Sequence, residues 1–223
     1  TGSMPLTVVN DDVSGNTIVT ATPATMRGRF VADTGVVGAL PQGLVVATAA
    51  RPSGKVLASG AGPRFELDEV SEPFTLRVEQ LPDGWAVKSI VVNGSDVTDG
   101  KVALAGNQEA EAVIVLTNHL TRVTGTVVAG GQPVKAEVVV FAADSAKWSY
   151  PSRFVGTASA DDKGRFRISG LPPSERYLAI AVDYLDDGEH YDPEFLERMR
   201  GTAVEFSLDD TESRTLELTV MER

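Results

Sequence analysis

The feature that most restricts what this chain can fold into is an internal repeat. Val8-Val9-Asn10 followed by Asp12-Val13 is matched by Val91-Val92-Asn93 followed by Asp96-Val97, with one extra residue in the second copy. Ile18-Val19 leading to Gly28 is matched by Ile114-Val115 leading to Gly125, and each glycine opens an apolar run. Arg64-Phe65 is matched by Arg165-Phe166, each followed by a turn and a second strand, Phe74 to Val78 and Tyr177 to Val182. Those strands run into Leu81-Pro82-Asp83-Gly84 and Leu185-Asp186-Asp187-Gly188. The offset is 97 residues for the glycine pair and 101 for the phenylalanine pair, the size of one small β-sandwich. The repeat predicts two tandem domains, 23–118 and 119–223, joined near Thr117-Asn118-His119-Leu120 with almost no linker, hence stiffly. Thr1-Gly2-Ser3-Met4 reads as a cloning remnant. The alignment makes 5–22 equivalent to the closing strands of a domain, so they either end a preceding module of a longer protein or add an edge strand to the first domain.

The repeating unit reads as β. Thirty valines and nineteen threonines in 223 residues tilt the chain toward strand. Arg27 to Val31, Leu44 to Thr48, Ala112 to Leu116, Val123 to Val128, Glu137 to Phe141, Arg165 to Ile168 and Leu216 to Val220 are short, apolar or alternating, and bounded by Gly, Pro, Asp or Asn. One helix is signalled: Asp192 as N-cap, Pro193 at the first helical position, and Phe195, Leu196 and Met199 on one face for docking on a sheet. The expected fold class is therefore all-β: two tandem Ig-like or transthyretin-like sandwiches, with one short helix in the second.

At 42% hydrophobic and 23% charged residues the chain has the composition of a folded domain. Its net charge of −11 repels phosphate backbones and anionic lipid heads, so no nucleic-acid partner is expected. No apolar run approaches the roughly 18–20 residues that cross a bilayer, so membrane insertion by this fragment is not expected either. With no cysteine there is neither a disulfide nor a thiolate nucleophile.

Arg122-Val123-Thr124-Gly125-Thr126-Val127, then Gln132-Pro133-Val134 to Phe141, then Asp161-Asp162-Lys163-Gly164-Arg165-Phe166-Arg167-Ile168-Ser169-Gly170-Leu171-Pro172-Pro173 resemble the carboxypeptidase regulatory-like domains. In that family V-x-G-x-V opens the domain, and D-x-x-G-x-F leads to G-L-P-P-G-x-Y. Ser174 and Glu175 stand where the last glycine is usual, while Tyr177 keeps the aromatic position. The first domain matches through Arg27 to Val31 and Pro63-Arg64-Phe65-Glu66-Leu67, with Glu69-Val70-Ser71-Glu72-Pro73 in place of the proline turn. The resemblance implies transthyretin-like sandwiches serving as non-catalytic modules of exported bacterial proteins. It thus implies an extracellular, periplasmic or outer-membrane-associated location, with the other domains of a larger chain as partners. Gly164 is expected to permit a tight turn, Phe166 to fill the core, and Pro172 and Pro173 to set a bend.

No residue set for catalysis, cofactor or metal is read. His119 and His190 lie 71 residues apart with no zinc-peptidase spacing around either; His119 reads as a surface or interface residue. No G-x-S-x-G elbow occurs, and Gly60-Ala61-Gly62 and Gly130-Gly131 read as hairpin turns. The acidic loop 183–192 (Asp183, Asp186, Asp187, Glu189, Asp192) could gather oxygens around calcium, but it lacks EF-hand spacing and Asp192 already caps a helix. Asp96, Asp99, Asp11 and Asp12 read as turn residues. One ligand site is a candidate: Trp148 and Tyr150 with Arg153, an aromatic loop suited to a glycan or a protein ligand. The competing reading makes Trp148 a cover over the sandwich's open end, and Trp85 core.

Overall fold

The structure, a computed structural model, describes residues 23–48, 55–59, 62–70, 73–150 and 152–221. The segments 1–4 and 5–22, Asp11 and Asp12, Gly60 and Ala61, and Pro151 lie outside the described residues. The described residues are all-β with one short α-helix, and the chain divides into two compact units at Thr117 and Asn118, except that Gly84–Ala86 groups with the second unit.

The first unit is built around β1 (Ala24–Ala32). This strand pairs antiparallel with β4 (Gly62–Val70) on one side and parallel with β8 (Glu109–Thr117) on the other. β3 (Lys55–Ser59) extends the sheet beyond β4, and β6 (Ala86–Val92) and β7 (Ser95–Asp96) extend it beyond β8. β2 (Val45–Thr48) and β5 (Leu76–Glu79) form a separate antiparallel pair. Alternation sets the faces: Met26, Phe30, Phe65, Ala112, Ile114 and Leu116 point inward, each at most 3% exposed, while Arg27, Arg29, Arg64 and Glu111 point outward. Asp96 serves its turn as read, its carboxylate accepting the Thr98 N–H at 2.9 Å.

The second unit repeats this frame. β9 (Arg122–Ala129) pairs antiparallel with β13 (Arg165–Ser169) and parallel with β16 (Ser213–Met221). Gly130 and Gly131, both at positive φ, turn β9 back into the two-residue β10 (Gln132–Pro133). The other sheet runs β12 (Val155–Ser159), β11 (Glu137–Ala142), β14 (Glu175–Val182), β15 (Val204–Leu208). The end of β16 joins the sheets at a corner by pairing Val220 and Met221 with β14. Helix α1 (Pro193–Met199) starts as the sequence dictates, the Asp192 carboxylate accepting the Glu194 N–H at 3.0 Å.

The repeated Gly–Phe pairs have a packing reason. Gly28 stands opposite Phe65 in the β1–β4 register, and Gly125 stands opposite Phe166 in β9–β13. In each unit the phenylalanine ring lies across the bare glycine. A Cβ on Gly28 would sit 2.2 Å from the Phe65 ring, and one on Gly125 would sit 2.7 Å from the Phe166 ring and 2.1 Å from the Leu216 carbonyl oxygen. Cross-strand aromatic cover of a glycine fixes register as well as filling the core.

Two sheet strands in the second unit are buried on both faces. Val138, Val140, Tyr177, Ala179 and Ala181 face the core between the sheets. Val139, Phe141, Leu178, Ile180 and Val182 face outward into a second hydrophobic cluster with Trp148, Phe195 and Leu196. That is why β11 and β14 read as continuous apolar runs rather than alternating ones.

Candidate functional site

The second cluster is roofed by two connections, 143–154 and 183–203, which meet over the outer face of β11 and β14. Phe195 and Leu196 on α1 are fully buried there. Trp148 follows a 3₁₀ turn capped by Asp144, whose carboxylate accepts the Ala146 N–H. Its ring is 1% exposed and edge-on to Phe141 at 5.5 Å, and its Nε1–H donates to the Ala142 carbonyl at 2.7 Å. The Arg200 guanidinium lies 5.0 Å above the same ring and donates to the Ala143 carbonyl. Both connections are thus tied to the end of β11, at Ala142 and the residue after it.

The three residues of the predicted aromatic loop separate. Trp148 is core and offers no face to a ligand. Tyr150 is 67% exposed and packs edge-on against Tyr191 at 5.0 Å, with His190 a further 4.3 Å from Tyr191. Arg153 is half-buried, its guanidinium 5.3 Å from the Phe154 ring. Trp85, expected in a core, is only half-buried in its turn. The acidic loop uses its carboxylates locally: Glu189 accepts the Asp186 N–H at 3.1 Å, and Asp192 caps α1. Among the described residues, no three His, Asp or Glu side chains converge as a metal site, and no helix is long and apolar enough to cross a membrane. His119 is exposed and His190 half-buried.

The turn residues of the second unit do what their types require. Gly164 takes φ 69° and closes a turn in which Asp161 binds twice. One carboxylate oxygen accepts the N–H groups of Lys163 and Arg165, both at 2.9 Å, and the other accepts Nε and Nη2 of Arg165 at 3.0 and 2.9 Å. These bonds hold the Asp161 carboxyl below its usual range, the backbone N–H of Arg165 contributing most. Ser174 adopts φ 63°, the left-handed conformation that a glycine would take in the resembled motif, and its N–H donates to Leu208. Buried Tyr177 anchors the proline turn through its hydroxyl, which donates to the Pro172 carbonyl at 2.8 Å.

Sequence reading missed one constellation on the outer sheet face of the first unit. Arg29 and Arg64 are exposed and directly opposite one another in the β1–β4 register. One strand position along, Arg27 is occupied: Glu66 accepts from its Nε at 2.9 Å and Glu109 lies 3.8 Å away. The Glu66 bond raises the Arg27 pKa above its usual value. Among the described residues, neither Arg29 nor Arg64 has a carboxylate partner. The signal lay in the repeat itself, in the columns beside the matched Gly and Phe.

No protein-family model matches the chain, and no curated protein matches it. Among solved structures it is similar to the Bacillus anthracis TIE protein, at 14% identity and a TM-score of 0.29, over 91% of this chain and 34% of that one. It is similar to a streptococcal ancillary pilin, at 14% identity and a TM-score of 0.29, over 87% of this chain and 62% of the other. It is also similar to the shaft pilin SpaA from Lactobacillus rhamnosus GG, at 11% identity and a TM-score of 0.31, over 87% and 96% of the two chains. The chain thus spans about a third of the first and under two thirds of the second. At these TM-scores the assignment of the fold rests on the strand pairing of the chain itself.

Proposed function

We propose that the chain is a non-catalytic structural and interaction module of the carboxypeptidase regulatory-like kind, spacing or stabilising the other domains of a larger exported bacterial protein. The observation that carries this is the duplicated frame. In each unit the opening strand lies between a parallel closing strand and an antiparallel strand whose phenylalanine covers its glycine. The motif residues of the second unit are spent on holding turns: Asp161 and Gly164 in one, Pro172 and Tyr177 in the other. The test is a blot of fractionated native cells with an antibody against this chain. A band well above 23.6 kDa in the envelope or medium is expected; a cytoplasmic band near that mass overturns the reading, as would catalytic turnover by the isolated chain.

A second reading is favoured by one observation, the exposed Tyr150 stacked edge-on to Tyr191. Such a platform suits a sugar ring or a peptide side chain. Unchanged binding of Tyr150→Ala across a glycan and peptide array removes it.

A further inference from the structure

We propose that Arg29 and Arg64 form a carboxylate-binding site on the outer sheet face of the first unit, and that its occupant is an acidic extended segment of a partner protein. Three observations converge. The first is an unfavourable arrangement: two guanidinium groups directly opposite on neighbouring strands repel, and here no described carboxylate separates them. The second is the contrast inside the molecule. Arg165, the counterpart of Arg64, stands opposite Thr126 rather than an arginine, and Asp161 grips it at two points. At the offset that aligns Phe65 with Phe166, the position of Asp161 is occupied in the first unit by Gly60. The first unit therefore has an added arginine and, among the described residues, no carboxylate in the role of Asp161, leaving that role to be filled from outside.

The third is shape. The pair lines one half of a shallow, open groove of about 530 Å³, whose other half carries Glu66 and Glu111 and whose wall includes Val113. β1 is paired on both sides, so its amides are committed to the sheet and cannot cradle a phosphate. Arg27 also lines the groove but is held by Glu66, so Arg29 and Arg64 carry its uncompensated positive charge. A side-chain carboxylate fits these features: two arginines can fork it, and in an extended segment every second side chain faces the same way, so the carboxylates of an alternating segment all turn toward the pair. The net charge of −11 makes a local basic pair a specific attraction rather than a general one.

The experiment measures fluorescence anisotropy of a short labelled peptide of alternating Glu and Val, with the whole chain as it exists, at low salt. A Gln–Val peptide is the control. Expected is binding by the Glu–Val peptide that weakens about tenfold in Arg29→Thr and in Arg64→Ala, falls as salt is added, and is unchanged in Arg167→Ala, an exposed arginine of the second unit. Inorganic phosphate is expected to compete only at far higher concentration. The proposal is overturned by absence of binding, by equal binding of the Gln–Val peptide, or by unchanged affinity in both variants. It is also overturned if phosphate displaces the peptide at matched concentration, which would make the pair a site for free anions. The readout is binding alone and does not depend on where the chain resides or on what it is joined to.

Discussion

The two units carry the same frame and use their surfaces in opposite ways. In the second, β11 and β14 are covered twice, once by the facing sheet and once by the roof of Trp148, Phe195 and Leu196. In the first, the outer face of β1, β4 and β8 is open and holds a charged row with two arginines left without a described carboxylate. The difference teaches that the Gly–Phe register device determines the fold, while the outer faces are free to diverge: one has become extra core, the other a surface suited to contact.

Removing the roof should produce the largest effect. Trp148→Ala deletes a fully buried ring with its hydrogen bond and is expected to cost about 3–5 kcal/mol, read by urea unfolding; a loss below about 1 kcal/mol would mean that the roof adds nothing to the second unit. Next come the two glycines. An alanine at Gly125 meets the backbone oxygen of Leu216 at 2.1 Å, whereas one at Gly28 meets the buried Phe65 ring at 2.2 Å and a backbone oxygen, that of Ala112, only at 2.9 Å. Gly125→Ala is therefore expected to cost about 3 kcal/mol and Gly28→Ala somewhat less, about 2 kcal/mol. Equal losses would show that the two devices are mechanically equivalent.

Arg29→Thr installs the residue of the second unit and relieves the cross-strand repulsion, so it should stabilise by about 0.5 kcal/mol while weakening peptide binding. A destabilised variant would show that the pair is not repulsive. The smallest effect is in acid. Asp33 is held below its usual value of 3.8 first by the hydrogen bond from Lys88, at 2.7 Å, and then by the Thr34 N–H. Asp161 is lowered by the backbone N–H and then the guanidinium of Arg165. A carboxyl lowered on folding adds stability that is complete above its unfolded pKa and disappears as pH falls through the folded one. Melting temperature should thus drop below about pH 4, and Asp33→Asn and Asp161→Asn should each flatten that drop. Asp161→Asn should cost less at neutral pH, because an amide oxygen still accepts from Lys163 and Arg165.

Much of the frame was legible. Alternation or apolar runs between turn residues marked β1, β2, β8, β9, β11, β13, β14 and β16, and Asp192-Pro193 marked the helix start. β12 went unmarked because Gly156 interrupts its few apolar residues. β15 carried the alternation, Val204, Phe206 and Leu208 interleaved with Glu205 and Ser207 and the last two apolar residues buried, and went unmarked beside the stronger helix signal just before it. Two tryptophans of the same type ended differently because burial depends on what arrives from far along the chain. Trp148 is covered by α1, some fifty residues on, while Trp85 stays half-buried in its turn. The arginine pair was hidden because outward charges at strand alternation look like ordinary solvated face; only the register places Arg29 against Arg64.

The parallel pairing of the first and last described strands of each unit has a mechanical consequence. Among the described strands of each unit, the first and the last are immediate neighbours running the same way, along ladders from Thr25↔Glu109 to Ala32↔Leu116 and from Arg122↔Ser213 to Val128↔Thr219. Tension applied at the two ends of such a unit pulls the neighbours in opposite directions along their common axis, so the ladder is sheared with many bonds loaded together instead of being unzipped one at a time. Each unit should therefore yield at higher force when stretched from its termini than when pulled across the β1–β4 or β9–β13 pair, a comparison open to single-molecule pulling with relocated attachment points; equal forces would show that the ladder is not the clamp.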